Sequence, residues 1–402
     1  MNTLDLALFA TLAVAFAVLI SGPMRRNQNW SAMVTPLASI IGSGFLVSMP
    51  LLAGALGIWA VAAVVGLTGL AYLFGGAIRY NIAHVEPALE HSEARPALRL
   101  VETASHLVLV GAYFISVAYY LVLLAAFGLK LVGLENPVLG KAIATTLTLG
   151  ICGLGATRGL KAVEQAEIFT VGAKLAAIAA LLVALLIFGM GLPPGYSWQA
   201  SSRDAPLDWE TIRFLMGMVI IVQGFETTRF MGQMYDADLR IKAMRRSQLT
   251  ATVVYVVFFL LMIPLFPFFT AEPDVAGFID VIGRVSPWLP YIVTAGAVAS
   301  QFSAAVADSI GASGLVSDTT RNRVTAKHGY LLIGVVAVSL IWGTDVMSIV
   351  ALASRAFALF YALQCVVAML MAQQHGARSR AAWFGALGAV AFAIAIFGIP
   401  AE

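Results

Sequence analysis

Residues 38–50, ASIIGSGFLVSMP, put Gly42, Ser43 and Gly44 inside a long apolar run. The run covers about 31–55, so its midpoint falls near Ser43. Glycine weakens a helix interior by roughly 0.5–1 kcal/mol relative to alanine. Backbone freed at the centre of a bilayer finds no water to bond. A helix weakened at its deepest point therefore needs a reason, and the rest of the chain supplies candidates.

Composition sets the class. The chain has 402 residues, 60% of them hydrophobic and 11% charged, with a mean hydropathy of +0.90. Soluble domains carry about twice that share of charge. Apolar runs of about 20 residues, each long enough to cross a hydrocarbon core, recur along the chain. The sequence predicts an all-α polytopic membrane protein in the plasma (inner) membrane. The first run lacks a basic start and carries Asp5, with Arg25 and Arg26 behind it. That order predicts a retained helix with its N-terminus outside, not a cleaved signal.

Twelve spans are predicted. An extra one covers about 3–22 and others 31–55, 58–79, 100–127, 137–156 and 162–190. A loop rich in Pro, Gly, Ser and Asp follows, then spans near 211–232, 247–269, 287–316, 329–343, 346–373 and 381–399. Threading them puts 16 of the 24 lysines and arginines on one set of loops and 5 on the other. The positive-inside rule assigns the richer side to the cytoplasm. The spans at 31–55 and 211–232 then run in opposite directions. Two five-helix units of opposite topology, 31–190 and 211–373, suggest an inverted repeat. The remaining parts are 1–30, the loop 191–210 and a last helix in 374–402.

The second unit opens with its own interruption, VQGFETT, Val222 to Thr228, with Gly224 near mid-span. Matching breaks in two inverted halves point to a transporter binding site. Free N–H groups at the second half of the first broken helix suit a carboxylate. Candidate substrate contacts are Ile41, Gly42, Ser43, Gly44 and Phe45, with Val222, Gln223, Gly224 and Phe225 opposite. Close helix packing through small residues is the competing reading of GSG. Tyr113 joins the list from the third span of the first unit, together with at most one of Tyr119 and Tyr120, which cannot share a helical face.

These residues resemble a known family. IIGSGFLVSMPLLAGALGIWA is similar to the first helix of the amino acid–polyamine–organocation superfamily, and QGFETTRFMGQMYDADLRIKAMRRSQ to its sixth. AVEQAEIFTVGAKLAAIAALL looks like its fifth. The resemblance implies the leucine-transporter fold and rocking of one helix bundle against another. It also implies that Lys174 puts an amine where sodium-coupled members bind the ion, donating to carbonyls near Ile40 and Ile41. It marks Phe225 as an aromatic cap on the substrate. The extra N-terminal helix and FSAAVADSIGASGLVSD look more like sodium–solute symporters, although Ala305 and Val306 replace their paired hydroxyls.

Ionisable residues inside spans are costly and so are functional candidates. Lys174 is one. The resemblance implies for Glu226 a role in protonation or gating, while its spacing makes it the local partner of Arg229, three residues on. Asp308 either pairs with Arg355 across the bundle or joins Ser303 and Ser309 in a cation site. The two cysteines, Cys152 and Cys365, lie in apolar runs and suggest no disulfide framework. The histidines are not spaced for zinc, and there is no phosphate-binding glycine loop. No cofactor, metal, enzymatic activity or nucleic-acid partner is expected.

The expected function is secondary transport of a small amino acid or related amine. Coupling to protons, or exchange without an ion, is preferred over sodium coupling. A transporter-like sensor acting through a partner is the alternative of another class.

Overall fold

A computed structural model describes residues 3–134, 136–157, 167–198, 208–269, 276–320 and 323–400. It is helical throughout, and no strand occurs among the described residues. The extra N-terminal helix is α1, Thr3–Leu19, followed by a short basic turn of helix, α2, Gly22–Arg26. The first broken helix is α3, Gln28–Ile40, and α4, Ser43–Leu56. Next come α5, Trp59–Tyr80, its continuation through a wider π turn into α6, Glu86–Glu90, and the long α7, Pro96–Leu131. Then follow α8, Pro137–Thr157, and α9, Glu167–Met190.

The remainder opens with α10, Trp209–Gly217, which gives way to tight turns at Val219–Val222 and Phe225–Met231. After it stand α11, Ala237–Met262, and α12, Phe278–Ile282. The last four are α13, Leu289–Thr319, α14, Ala326–Gly343, α15, Val346–Gln374, and α16, Arg378–Phe397. Eleven helical segments among the described residues are long and apolar enough to cross a membrane. The expected span at 211–232 is not among them because it is broken into three pieces. The fold class read from the hydropathy is therefore the one found, and this is an integral multi-pass membrane protein.

Local chemistry sets several helix starts. Asp208 accepts the N–H of Thr211 at 2.9 Å, Asp236 that of Leu239 at 2.7 Å, and Asp345 that of Ser348 at 2.9 Å. Each satisfies a donor that the first helical turn leaves over. The Asp236 cap starts α11 ten residues earlier than the predicted 247, because the charged stretch DLRIKAMRRS is helical as well. Its buried positions, Arg240, Ala243, Met244 and Ser247, share a face although two of them are polar.

Two packing relations position the interior. α7 lies along α13 for much of its length, and α15 packs against both α7 and α16. The extra helix α1 covers α9 and leaves most of its own surface outward. Asp5, buried on α1, accepts a hydrogen bond from Ser286 Oγ at 2.8 Å and so ties α1 to the segment ahead of α13.

Candidate functional site

The two broken helices meet at their breaks. α3 ends as Ile41 N–H bonds Leu37 and Gly42 N–H bonds Ser39. Gly42, at φ −73° and ψ −127°, then redirects the chain into α4. In the second broken helix Gln223 is extended and Gly224 is left-handed at φ 113°. A side chain on Gly44 would collide with the backbone of Ile221. One on Gly224 would stand 2.9 Å from the Ser39 carbonyl carbon. Each glycine thus lets its own helix approach the backbone of the other, a use that needs no Cβ. Tyr255, fully buried on α11, bridges the same junction. Its hydroxyl lies 3.1 Å from the Ile40 carbonyl and 2.5 Å from that of Ile221.

Beside this junction lies a cavity of about 430 Å³. Its walls come from α3, α7, α9, the 219–231 turns and α13. Of the residues singled out in sequence, it brings together Gln223, Gly224, Tyr113, Lys174, Ser303 and Asp308. Tyr120 lines it and Tyr119 does not, as the helical geometry required. Gln223 Nε2 donates to the Tyr120 hydroxyl at 2.7 Å. The cavity continues past Thr227, Phe230 and Met234 to Asp318, toward the arginine-rich end of the bundle.

Other candidates stand elsewhere. Ile41, Gly42 and Phe45 line a separate chamber of about 20 Å³, with Lys174, Ser300 and Gln301. Phe45 packs on Phe258, ring centroids 4.3 Å apart, and Gly44 faces Ile221. Ser43 opens α4. Ile41, Gly42, Gly44 and Phe45 thus stand outside the large cavity. Val222 is buried outside it. Phe225 is stacked on Tyr361 at 5.1 Å and fully buried, and it does not line the large cavity. Its ring fills the space between the 225–231 turn and α15 instead.

The charged residues pair differently from the sequence reading. Lys174 donates to the carbonyl of Ala38, two and three residues before the predicted Ile40 and Ile41. Ile40's carbonyl already faces Tyr255. Lys174 lies at the neck between the two cavities. Glu226 does not pair with Arg229. One of its oxygens accepts the Gly224 N–H and the Tyr361 hydroxyl, each at 2.9 Å. The local tight turn carries Arg229 to the opposite side, where it meets Glu102 at 2.7 Å and Glu86 at 3.7 Å.

Arg240 clamps Glu86 at 2.6 Å and also donates to the Arg229 carbonyl at 2.7 Å. Gln364 accepts from Arg229 and from Asn81 and donates to Ser105. These contacts join five elements in one network. Asp308 does not pair with Arg355 either. It accepts a hydrogen bond from Ser116 on α7. Arg355 faces outward and donates to the Ala395 carbonyl near the C-terminus of α16 at 2.8 Å. Ser309 returns to the Ala305 carbonyl of its own helix, leaving Ser303 on the cavity wall without it. No group of three or more His, Cys, Asp or Glu suited to a metal occurs among the described residues.

Sequence reasoning did not single out Ser39, Ser300, Thr227 or Tyr255. Tyr255 sits in an apolar run where only its hydroxyl marks it, and the two carbonyls it serves are 215 and 34 residues away.

Comparison with known proteins adds two findings. A family profile described as an APC superfamily transporter matches residues 22–398. A protein of Aquifex aeolicus, named only as uncharacterized, is 38% identical over 402 residues, covering 99% of this chain and 98% of the relative.

Proposed function

The chain belongs to the APC superfamily of transporters, and we propose that it is a secondary transporter moving a small amino acid or related amine by alternating access. The observation that carries this reading is the 430 Å³ cavity set beside two broken helices. That volume is in the range that encloses small molecules. Irregular backbone at membrane depth fits a solute site. The units 31–190 and 211–373 serve as the two inverted halves, each contributing one break.

The cavity reaches the arginine-rich end, where Met234 is 67% exposed. With that end in the cytoplasm by the positive-inside rule, the conformation is inward-facing. Coupling follows from Lys174. Its ammonium holds the Ala38 carbonyl at the end of α3, where the partial negative charge of a helix C-terminus gathers. A bound sodium ion would need the same carbonyls. Proton coupling, or exchange without an ion, is therefore preferred.

The test is uptake into proteoliposomes with a panel of amino acids and amines, with and without a sodium or pH gradient. Saturable uptake without sodium is the expected result. No uptake of any member removes the reading, and strict sodium dependence removes the role given to Lys174.

A further inference from the structure

We propose that Asp308 reads the substrate, by pairing with an ammonium group, and that a substrate carboxylate is dispensable. The inference rests on the transporter reading above and goes further, to the group that selects the solute. It begins with what the two breaks are doing. The carbonyls of Ile40 and Ile221, well placed to receive an amine, face the Tyr255 hydroxyl. The Gly224 N–H is taken by Glu226. The start of α4 lies against Ile221 and the small chamber. Two of the carbonyls and one N–H freed by the breaks are thus used by the protein itself.

The large cavity keeps one carboxylate whose pairing is incomplete. Ser116 holds one oxygen of Asp308. No basic side chain among the described residues lies within ion-pair distance of it, and the residue lines the cavity. Tyr113 and Tyr120 line the same region. Tyrosine ring faces attract cations, more strongly where water is excluded. A carboxylate at membrane depth with aromatic neighbours suits an ammonium, which supplies the missing charge. The cationic side chain among the described lining residues is Lys174, and it is turned to the Ala38 carbonyl. A second carboxylate, Asp318, lies ten residues on along α13. At about 1.5 Å rise per residue it stands roughly 15 Å away, at the mouth, where it draws cations inward.

The experiment uses the purified full-length chain and matched probes: leucine and isopentylamine, lysine and cadaverine, phenylalanine and phenethylamine. Each amine is its amino acid without the carboxylate. Ligand-dependent thermal shift and competition for uptake are read for wild type, Asp308→Asn and Asp308→Glu. At least one amine should bind as tightly as its amino acid. Asp308→Asn, which keeps the hydrogen bond to Ser116, should weaken that binding at least about 30-fold. Asp308→Glu should recover part of it.

If amino acids bind and their amines do not, the inference fails and the transporter reading stands. The same holds if a folded Asp308→Asn protein transports as wild type does. If no probe binds or moves, both fail. The wild-type comparison needs no variant, so a misfolded mutant cannot obscure the result.

Discussion

Gly44 and Tyr255 show how much of the site depends on single atoms. Gly44→Ala places a methyl group against the Ile221 backbone, which cannot rotate aside as a side chain would. Overpacking of this kind costs about 1–3 kcal/mol. The variant should melt lower in detergent and lose uptake, since the two broken helices can no longer touch. Unchanged uptake would mean the contact is incidental. Tyr255→Phe keeps the ring and removes the hydroxyl, leaving two buried carbonyls without that donor. The expected loss is again about 1–3 kcal/mol, read as a lowered melting temperature. Lys174→Met removes the ammonium from the Ala38 carbonyl. It should abolish coupled uptake, and accumulation at the wild-type level would sink the coupling role. At this scale the sequence was partly legible. GSG announced a break, because glycine at membrane depth is expensive without a use. What the glycine touches was hidden, because Ile221 lies 177 residues away.

Helices were legible where hydropathy alone decides them, and less so where charge intervenes. The start of α11 is the plainest case. Ten residues rich in charge continue a membrane helix because Asp236 caps it and Arg240 turns inward to Glu86. Pairings between elements were the least legible. A sequence offers Arg229 a neighbour at Glu226, three residues away, yet that spacing brings side chains together only on a regular α-helix. Residues 225–231 form tighter turns, and Arg229 reaches Glu102 on α7.

The network of Arg229, Glu102, Glu86 and Arg240 makes its own prediction. Arg229→Ala takes the guanidinium from Glu102, a buried carboxylate, leaving it to His106 and Gln364, and should destabilise the protein by about 3–5 kcal/mol. Arg229→Met combined with Glu102→Gln removes both charges and should cost less than Arg229→Ala alone. Thermal unfolding of the two variants decides it, and a double variant less stable than the single would mean that packing, not charge pairing, holds these elements together.

Across the whole molecule the two ends of the bundle differ in how they are closed. On the side away from the arginine-rich loops, Phe45, Tyr255, Phe258 and Phe278 form a continuous aromatic plug. Phe45 lies 5.2 Å from Tyr255, and Phe258 lies 5.6 Å from Phe278. All four are fully buried. Toward the basic end the cavity passes instead between Thr227, Met234 and Asp318. Among the described residues a solute therefore has a path to Asp308 from the basic side in this conformation. The alternating access proposed above requires the plug to part while the basic end closes.

A thiol placed on the cavity wall reports this directly. Ser303→Cys lines the cavity, and Ala297→Cys lines the small chamber behind it. With buried Cys152 and Cys365 replaced by serine, a membrane-impermeant thiol reagent should label Ser303→Cys from the basic side at least about 10-fold faster than from the other, a bias of about 1.4 kcal/mol between the two conformations. Ala297→Cys should resist from both sides. A transported amine should then slow labelling of Ser303→Cys by occupying the cavity. Faster labelling from the plugged side would place the resting molecule in the opposite conformation and detach the charge asymmetry of the loops from the direction in which the cavity opens.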